Sequence, residues 1–339
     1  VTRYIGVDLA WSEGSDGRRP HETGIVVIDA EGTVIHADCA RGLKQIVTWL
    51  QRHAQPGDVI AINSPLVITN MTGMRECERD LAHHYGSWQV YASPTNLTRE
   101  WTGGVALRDR LEAIGFVYTD GMTAVPDDAI SFFECYPYTT LVGAPEFGYD
   151  QDRPGYKRFD LALPLAHRRE FRANECDELL TRMKRLATSR PPIDLSTHPT
   201  TNQLLVSRAI GQNRRQKRRE DLADAALCAW TAALWSRYGL ERCQILGAGA
   251  EPDANGRRPV IIAPATPEQR DGSVRVNRRV NVSVAQRASD ELLVAARALG
   301  AAAVTDDTAR YKVARKQLVS ALGSLDAELV PAKSEAVVY

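Results

Sequence analysis

The sequence predicts an α/β domain on a mixed sheet with helices on both faces, followed by a small C-terminal strand–helix–helix unit. Three observations carry this. The first 63 residues read strand, strand, strand, helix, strand. The second and third strands are joined through Glu31-Gly32, a connection too short for a parallel crossover. A late helix, Glu220 to Trp235, is apolar on nearly every side, which marks a buried helix.

The elements follow in order. Tyr4–Ala10 is an apolar first strand that carries an acid, Asp8. A polar, glycine-rich loop leads to Gly24–Ala30 and Val34–Cys39, read as a hairpin from the acidic-glycine turn between them. Gly42–His53 places Leu43, Ile46, Val47 and Leu50 on one face, the helical period. Pro56-Gly57 turns the chain into a short buried strand, Asp58–Asn63, ended by Ser64-Pro65. Residues 71–86 are expected to form a charged helix, and Ile130–Cys135 a further strand. Residues 150–215 are polar and interrupted by Pro191-Pro192 and Pro199, which fits helices and a long loop. After the apolar helix, Cys243–Gly247 and Pro259–Ala263 make a final strand pair. A meander extended by a strand after a helix is the order of an RNase H-like core, not of a doubly wound nucleotide-binding sheet.

Composition bounds the function. At 339 residues and 44% hydrophobic content, the chain has material for a large domain, about 1–270, and a small one, 273–339. Forty-two basic residues balance 42 acidic ones, so no global field draws the protein to nucleic acid or membrane, and such binding needs local patches. No long apolar run or leader pattern is present, so neither a membrane span nor a signal peptide is expected. Six cysteines without CxxC spacing argue against a zinc ribbon or a disulfide framework and fit a cytoplasmic location.

The chemistry centres on acids. Asp221 and Asp224, three apart, share one face of the apolar helix. Buried ionised carboxylates need compensation, from basic partners such as Lys217, Arg218 and Arg219 or from a divalent cation. In an RNase H-like core, acids of the first strand, the fourth strand and a late helix converge on two metal ions. Asp8, Asp221 and Asp224 take those places, and Glu134, at a strand end, is expected to point into the same cleft. Asn63 holds the fourth-strand position and offers a carbonyl oxygen without charge. The cofactor expected is Mg²⁺ or Mn²⁺, and the reaction hydrolysis of phosphodiester bonds in DNA or RNA. Arg75 and Glu78, one helical turn apart, either hold and orient a phosphate or form an exposed ion pair. Lys157 is a second candidate phosphate contact. The run Arg214 to Arg219 supplies a third, Lys217, unless it is simply a solvated face.

Several segments resemble a bacterial and archaeal family of predicted RNase H-like nucleases, over about residues 1–265. They are Tyr4-Ile5-Gly6-Val7-Asp8-Leu9-Ala10-Trp11, Ala61-Ile62-Asn63-Ser64-Pro65-Leu66, Asn70 to Arg79, Phe133-Glu134-Cys135-Tyr136-Pro137 and Glu220-Asp221-Leu222-Ala223-Asp224-Ala225. The resemblance implies an RNase H-like fold and a metal-dependent nuclease. Members usually carry aspartate where this chain has Asn63, which implies a weakened site, natural or introduced. The alternative is a non-catalytic nucleic-acid-binding or regulatory protein on a degenerate version of the fold. A small-molecule kinase on the related actin-like fold is disfavoured, because the paired glycine-rich phosphate loops are missing.

From about residue 273 the chain leaves this resemblance. Arg279-Val280-Asn281-Val282-Ser283-Val284 alternates polar and apolar residues as a strand does. Helices are expected over 288–299 and, capped by Thr305, to about Leu322. This order resembles a ribbon–helix–helix module, in which Arg279, Asn281 and Ser283 would face DNA; the alternative is a structural appendage or a homodimerisation element.

Overall fold

The structure, a computed structural model, describes residues 2–10, 20–98, 102–150, 152–157, 165–207 and 213–272. Beyond them it describes residues 292–293, 295–296, 299, 312–320 and 322. The chain divides into two compact units, Val1–Ser273 and Val274–Tyr339.

In the first unit, β1 (Tyr4–Asp8), β2 (Glu22–Ile28) and β3 (Val34–Arg41) form an antiparallel meander. Helix α1 (Gly42–His53) returns the chain so that β4 (Val59–Ile62) lies parallel to β1. Then come α2 (Glu76–Tyr85), α3 (Gly103–Ala113), β5 (Val117–Tyr118) and β6 (Ser131–Glu134), the last parallel to both β4 and β5. The six-stranded sheet therefore runs β3-β2-β1-β4-β6-β5. Helices α4 (Pro137–Gly143), α5 (Leu165–Lys184), α6 (Pro199–Val206) and α7 (Asn213–Tyr238) follow. The late strands β7 (Cys243–Leu246) and β8 (Ile261–Pro264) make a separate antiparallel pair, and α8 (Pro267–Arg270) closes the unit.

The mixed α/β architecture is the one expected. Two details differ. The charged helix begins at Glu76, not near residue 71, because the Glu78 side chain accepts from the Arg75 backbone N–H (3.0 Å) and fixes the helix start there. Helices α3, α4 and α8 and the two-residue β5 were not expected from the sequence.

Strand alternation sorts the core. Ile5, Val7, Ile25, Val27, Ile60, Ile62 and Phe132 pack with Leu43, Ile46 and Leu50 of α1 and Leu107 and Leu111 of α3. Tyr4, Val26, Ile28, Ala61 and Phe133 face the other way, into the cluster that contains α7. Helix α7 is buried continuously from Glu220 to Leu234, and lies on β1, β2 and β4. Its small side chains permit this, six of them alanines between Ala223 and Ala233.

In the second unit, the described residues between 292 and 299 and between 312 and 322 are helical. The strand expected at 279–284, with Arg279, Asn281 and Ser283, and the cap Thr305 lie outside the described residues. Among the described residues no helix is long and apolar enough to cross a membrane.

Candidate functional site

Two strand glycines bring the acids together. A Cβ on Gly6 would lie 1.9 Å from the Ala225 carbonyl oxygen, and one on Gly24 2.2 Å from the Asp221 carbonyl oxygen. Only the missing side chains let the α7 backbone settle onto β1 and β2 this closely. Gly24 pairs in register with Asp8, so Asp221 of α7 is laid over the end of β1. Asp8 follows Tyr4 and Gly6 on the α7 face of the strand. The three aspartates are almost fully enclosed.

Asp8 and Asp224 share one lysine, whereas Asp221 has its own. Asn63, just beyond β4, continues the strand pairing through its N–H to the Val7 carbonyl (2.8 Å). Its side-chain amide donates to Asp8 Oδ1 at 2.6 Å. Lys157 Nζ stands 3.5 Å from Asp8 Oδ2 and pairs directly with Asp224 Oδ2. The Tyr156 hydroxyl donates to the other Asp224 oxygen. Lys217, one turn earlier on α7, pairs with Asp221 Oδ1, while Asp221 Oδ2 is buried and has no hydrogen-bond partner.

The balance is incomplete. Burial, reinforced by repulsion from Asp8, pushes the Asp221 carboxyl up to about 7 despite Lys217. Burial also pushes Asp224 up to about 6, opposed by Lys157 and reinforced by Asp8. Burial works against the Lys157 ammonium, yet Asp224 and Asp8 hold its pKa well above the ordinary lysine value.

The chain around Lys157 is anchored from α5 and α7. Gly155 N–H donates to Glu175 Oε2 (2.7 Å), and Arg172 Nε donates to the Tyr156 carbonyl (3.2 Å). Arg172 also grips Glu220, beside Asp221, through Nε at 2.7 Å. Tyr156 and its anchor were missed in the sequence reading. A tyrosine inside a polar, proline-broken stretch carries no periodic signal.

Glu134 does not join the aspartates. On β6, Phe133 faces the α7 cluster, whereas Phe132 faces α1 and α3, and Glu134 follows Phe132. Its carboxylate takes a two-pronged grip from Arg75 (2.8 and 2.7 Å) and a bond from Leu66 N–H (2.9 Å). The expectation that Glu134 points into the same cleft as Asp8 is corrected by this geometry. Arg75 and Glu78 are corrected too. They are buried, bonded to each other (2.9 Å), and form with Glu134 an enclosed acid–arginine–acid triad. They are therefore neither a phosphate contact nor an exposed ion pair. In the basic run, Arg219 is used structurally, on Asp177 and the Ser207 carbonyl (both 2.7 Å), while Arg218 is exposed.

The donor set of Asp8, Asp221 and Asp224 is all carboxylate oxygen, the chemistry that suits Mg²⁺ or Mn²⁺. The unpartnered Asp221 oxygen fits a cation as well. Among the described residues, however, no group of three or more His, Cys, Asp or Glu side chains is already gathered for a metal ion. Around Asp8, the Asn63 amide and the Lys157 ammonium take the places nearest its oxygens.

Comparison with known proteins adds one fact. Residues 6–250 match the family described as protein of unknown function, DUF429. The chain belongs to the DUF429 family. The matched span runs from within β1 to just past β7 and contains all three aspartates. No curated protein and no solved structure matches the chain.

Proposed function

We propose that the DUF429 core of this chain is a divalent-cation-dependent phosphodiesterase acting on nucleic acid, with Asp8, Asp221 and Asp224 as ligands of Mg²⁺ or Mn²⁺. A bound cation would activate the attacking water and stabilise the leaving oxygen. Tyr156 keeps the Asp224 carboxylate turned into the site, and Asn63 does the same for Asp8. The observation that carries the reading is three buried carboxylates, from a strand end and a helix, set against two lysines, with one oxygen unpartnered. Carboxylates buried only to stabilise a fold would be expected to have all their oxygens satisfied.

Asn63 tunes this site. Its amide carries no charge, so the expected outcome is weak cleavage by the chain as it stands and stronger cleavage by Asn63→Asp. The assay is manganese-dependent hydrolysis of single- and double-stranded DNA and RNA, with Asp8→Asn as the inactive control. Cleavage unaffected by Asp8→Asn, or independent of divalent cation, would contradict the proposal.

A second reading is favoured by one observation. The Asn63 amide hydrogen-bonds one Asp8 oxygen and the Lys157 ammonium offsets the charge beside the other, as in a site that no longer turns over. On that reading the protein binds nucleic acid without cutting it, and Asn63→Asp gains no activity. The C-terminal unit, as a DNA-binding or dimerising element, belongs to the same reading.

A further inference from the structure

We propose that Lys157 is an exchangeable occupant of the carboxylate site. Its ammonium fills the space between Asp8 and Asp224 until a divalent cation replaces it, and the released side chain then meets a phosphate of the substrate. The inference rests on the phosphodiesterase reading and concerns how that site opens.

The position of the ammonium comes first. Lys157 Nζ is the one group among the described residues that the structure pairs with both Asp8 and Asp224. It neutralises two carboxylates that come from different elements, β1 and α7, as a bridging cation would. Lysine holds them as a compact point charge, without the rigid fork by which arginine locks a carboxylate.

The ammonium is also able to leave. The Lys157 side chain is 24% exposed, against 2% for Arg75 in the enclosed triad. The two residues before it are tied down, Gly155 by Glu175 and Tyr156 by Arg172 and Asp224, so the ammonium can leave by rotation of the one side chain. Solvent at the rim can receive the ammonium, or a phosphate can.

Charge supplies the drive. Three carboxylates face two ammoniums, Lys157 and Lys217. A dication in place of one ammonium adds the missing positive charge. Asp221, one of whose oxygens now has no partner, would be among the residues holding it. Lys217, half exposed and bound to Asp221 alone, completes the set without bridging.

The test is manganese titration calorimetry on the full chain and two variants, Lys157→Met and Lys157→Arg, with thermal unfolding in chelator to confirm that each folds. Methionine removes the competitor, so manganese should bind several-fold more tightly than to the parent. Arginine keeps the charge but bridges the two carboxylates with its fork, so manganese should bind several-fold more weakly. A charge effect alone predicts that the arginine variant and the parent bind alike, and that result overturns the proposal. So does weaker binding by the methionine variant. In calcium, the methionine variant should also lose affinity for a single-stranded oligonucleotide, although its site is open. If neither the parent nor Lys157→Met binds manganese, the phosphodiesterase reading falls as well. If all three proteins bind it equally, only the exchange falls.

Discussion

Two buried acid clusters lie at the ends of the parallel strands, and they are compensated in opposite ways. In the first, Glu78 and Glu134 close on Arg75, and their other bonds come from the backbone N–H groups of Arg75, Leu66 and Thr95. In the second, Asp8, Asp221 and Asp224 are held by lysines that reach solvent, and one Asp221 oxygen has no partner. Both clusters join a strand end to a helix. The difference lies in the counter-charge. An enclosed arginine with its fork fully used makes a fixture, since removing it would strand two carboxylates. A lysine at the rim is a counter-charge that, on our proposal, can leave. The identity and exposure of the partner, more than the burial of the acid, distinguish the two clusters.

The comparison can be broken by mutation. The largest effect is expected from Arg75→Leu, which leaves Glu78 and Glu134 buried without their partner; the loss should be about 3–5 kcal/mol. Chemical denaturation measures it, and manganese should not restore it. A variant as stable as the parent would remove the triad from its structural role. Gly6→Ala comes next. The added methyl meets the Ala225 carbonyl oxygen, so α7 must rise from the sheet. A cost of about 1–3 kcal/mol is expected from such overpacking. The manganese affinity of the aspartates should fall with it, because Asp8 and α7 move apart. Unchanged affinity in a stably folded Gly6→Ala protein would show that the close approach does not build the site. A smaller effect is expected from Lys217→Met. Lys217 is half exposed and solvent-screened, so the stability change should stay within about 1 kcal/mol. A larger loss would make Lys217 a fixture like Arg75.

Much of this was legible in the chain, for identifiable reasons. The Glu31-Gly32 connection forced an antiparallel pair, and the apolar run of α7 required burial between layers. The acids Asp8, Asp221 and Asp224 stood out because a charge inside an apolar segment is costly. Glu134 stood out on the same grounds and was placed wrongly. Around it Phe132 and Phe133 are both apolar, because the sheet is covered on both sides, so no alternation tells which face Glu134 takes. Helix α3 opens with two glycines and carries Arg108, Asp109 and Arg110 in a row, which hides its buried edge. The role of Lys157 depends on a fold-back from a polar loop to β1, which no local pattern encodes. Gly6 and Gly24 were the missed signal: a glycine inside an apolar strand marks a close backbone approach, and here the approach builds the site.

The distinction between the clusters is tested most directly by manganese calorimetry on three proteins: the parent, Asp221→Asn and Glu134→Gln. Asp221→Asn takes a charge from the open cluster, and Glu134→Gln takes one from the closed cluster. The expected result is manganese binding by the parent, loss of it in Asp221→Asn, and parent-like affinity in folded Glu134→Gln. Binding that survives in Asp221→Asn and disappears in folded Glu134→Gln would put the cation at the triad and contradict the account.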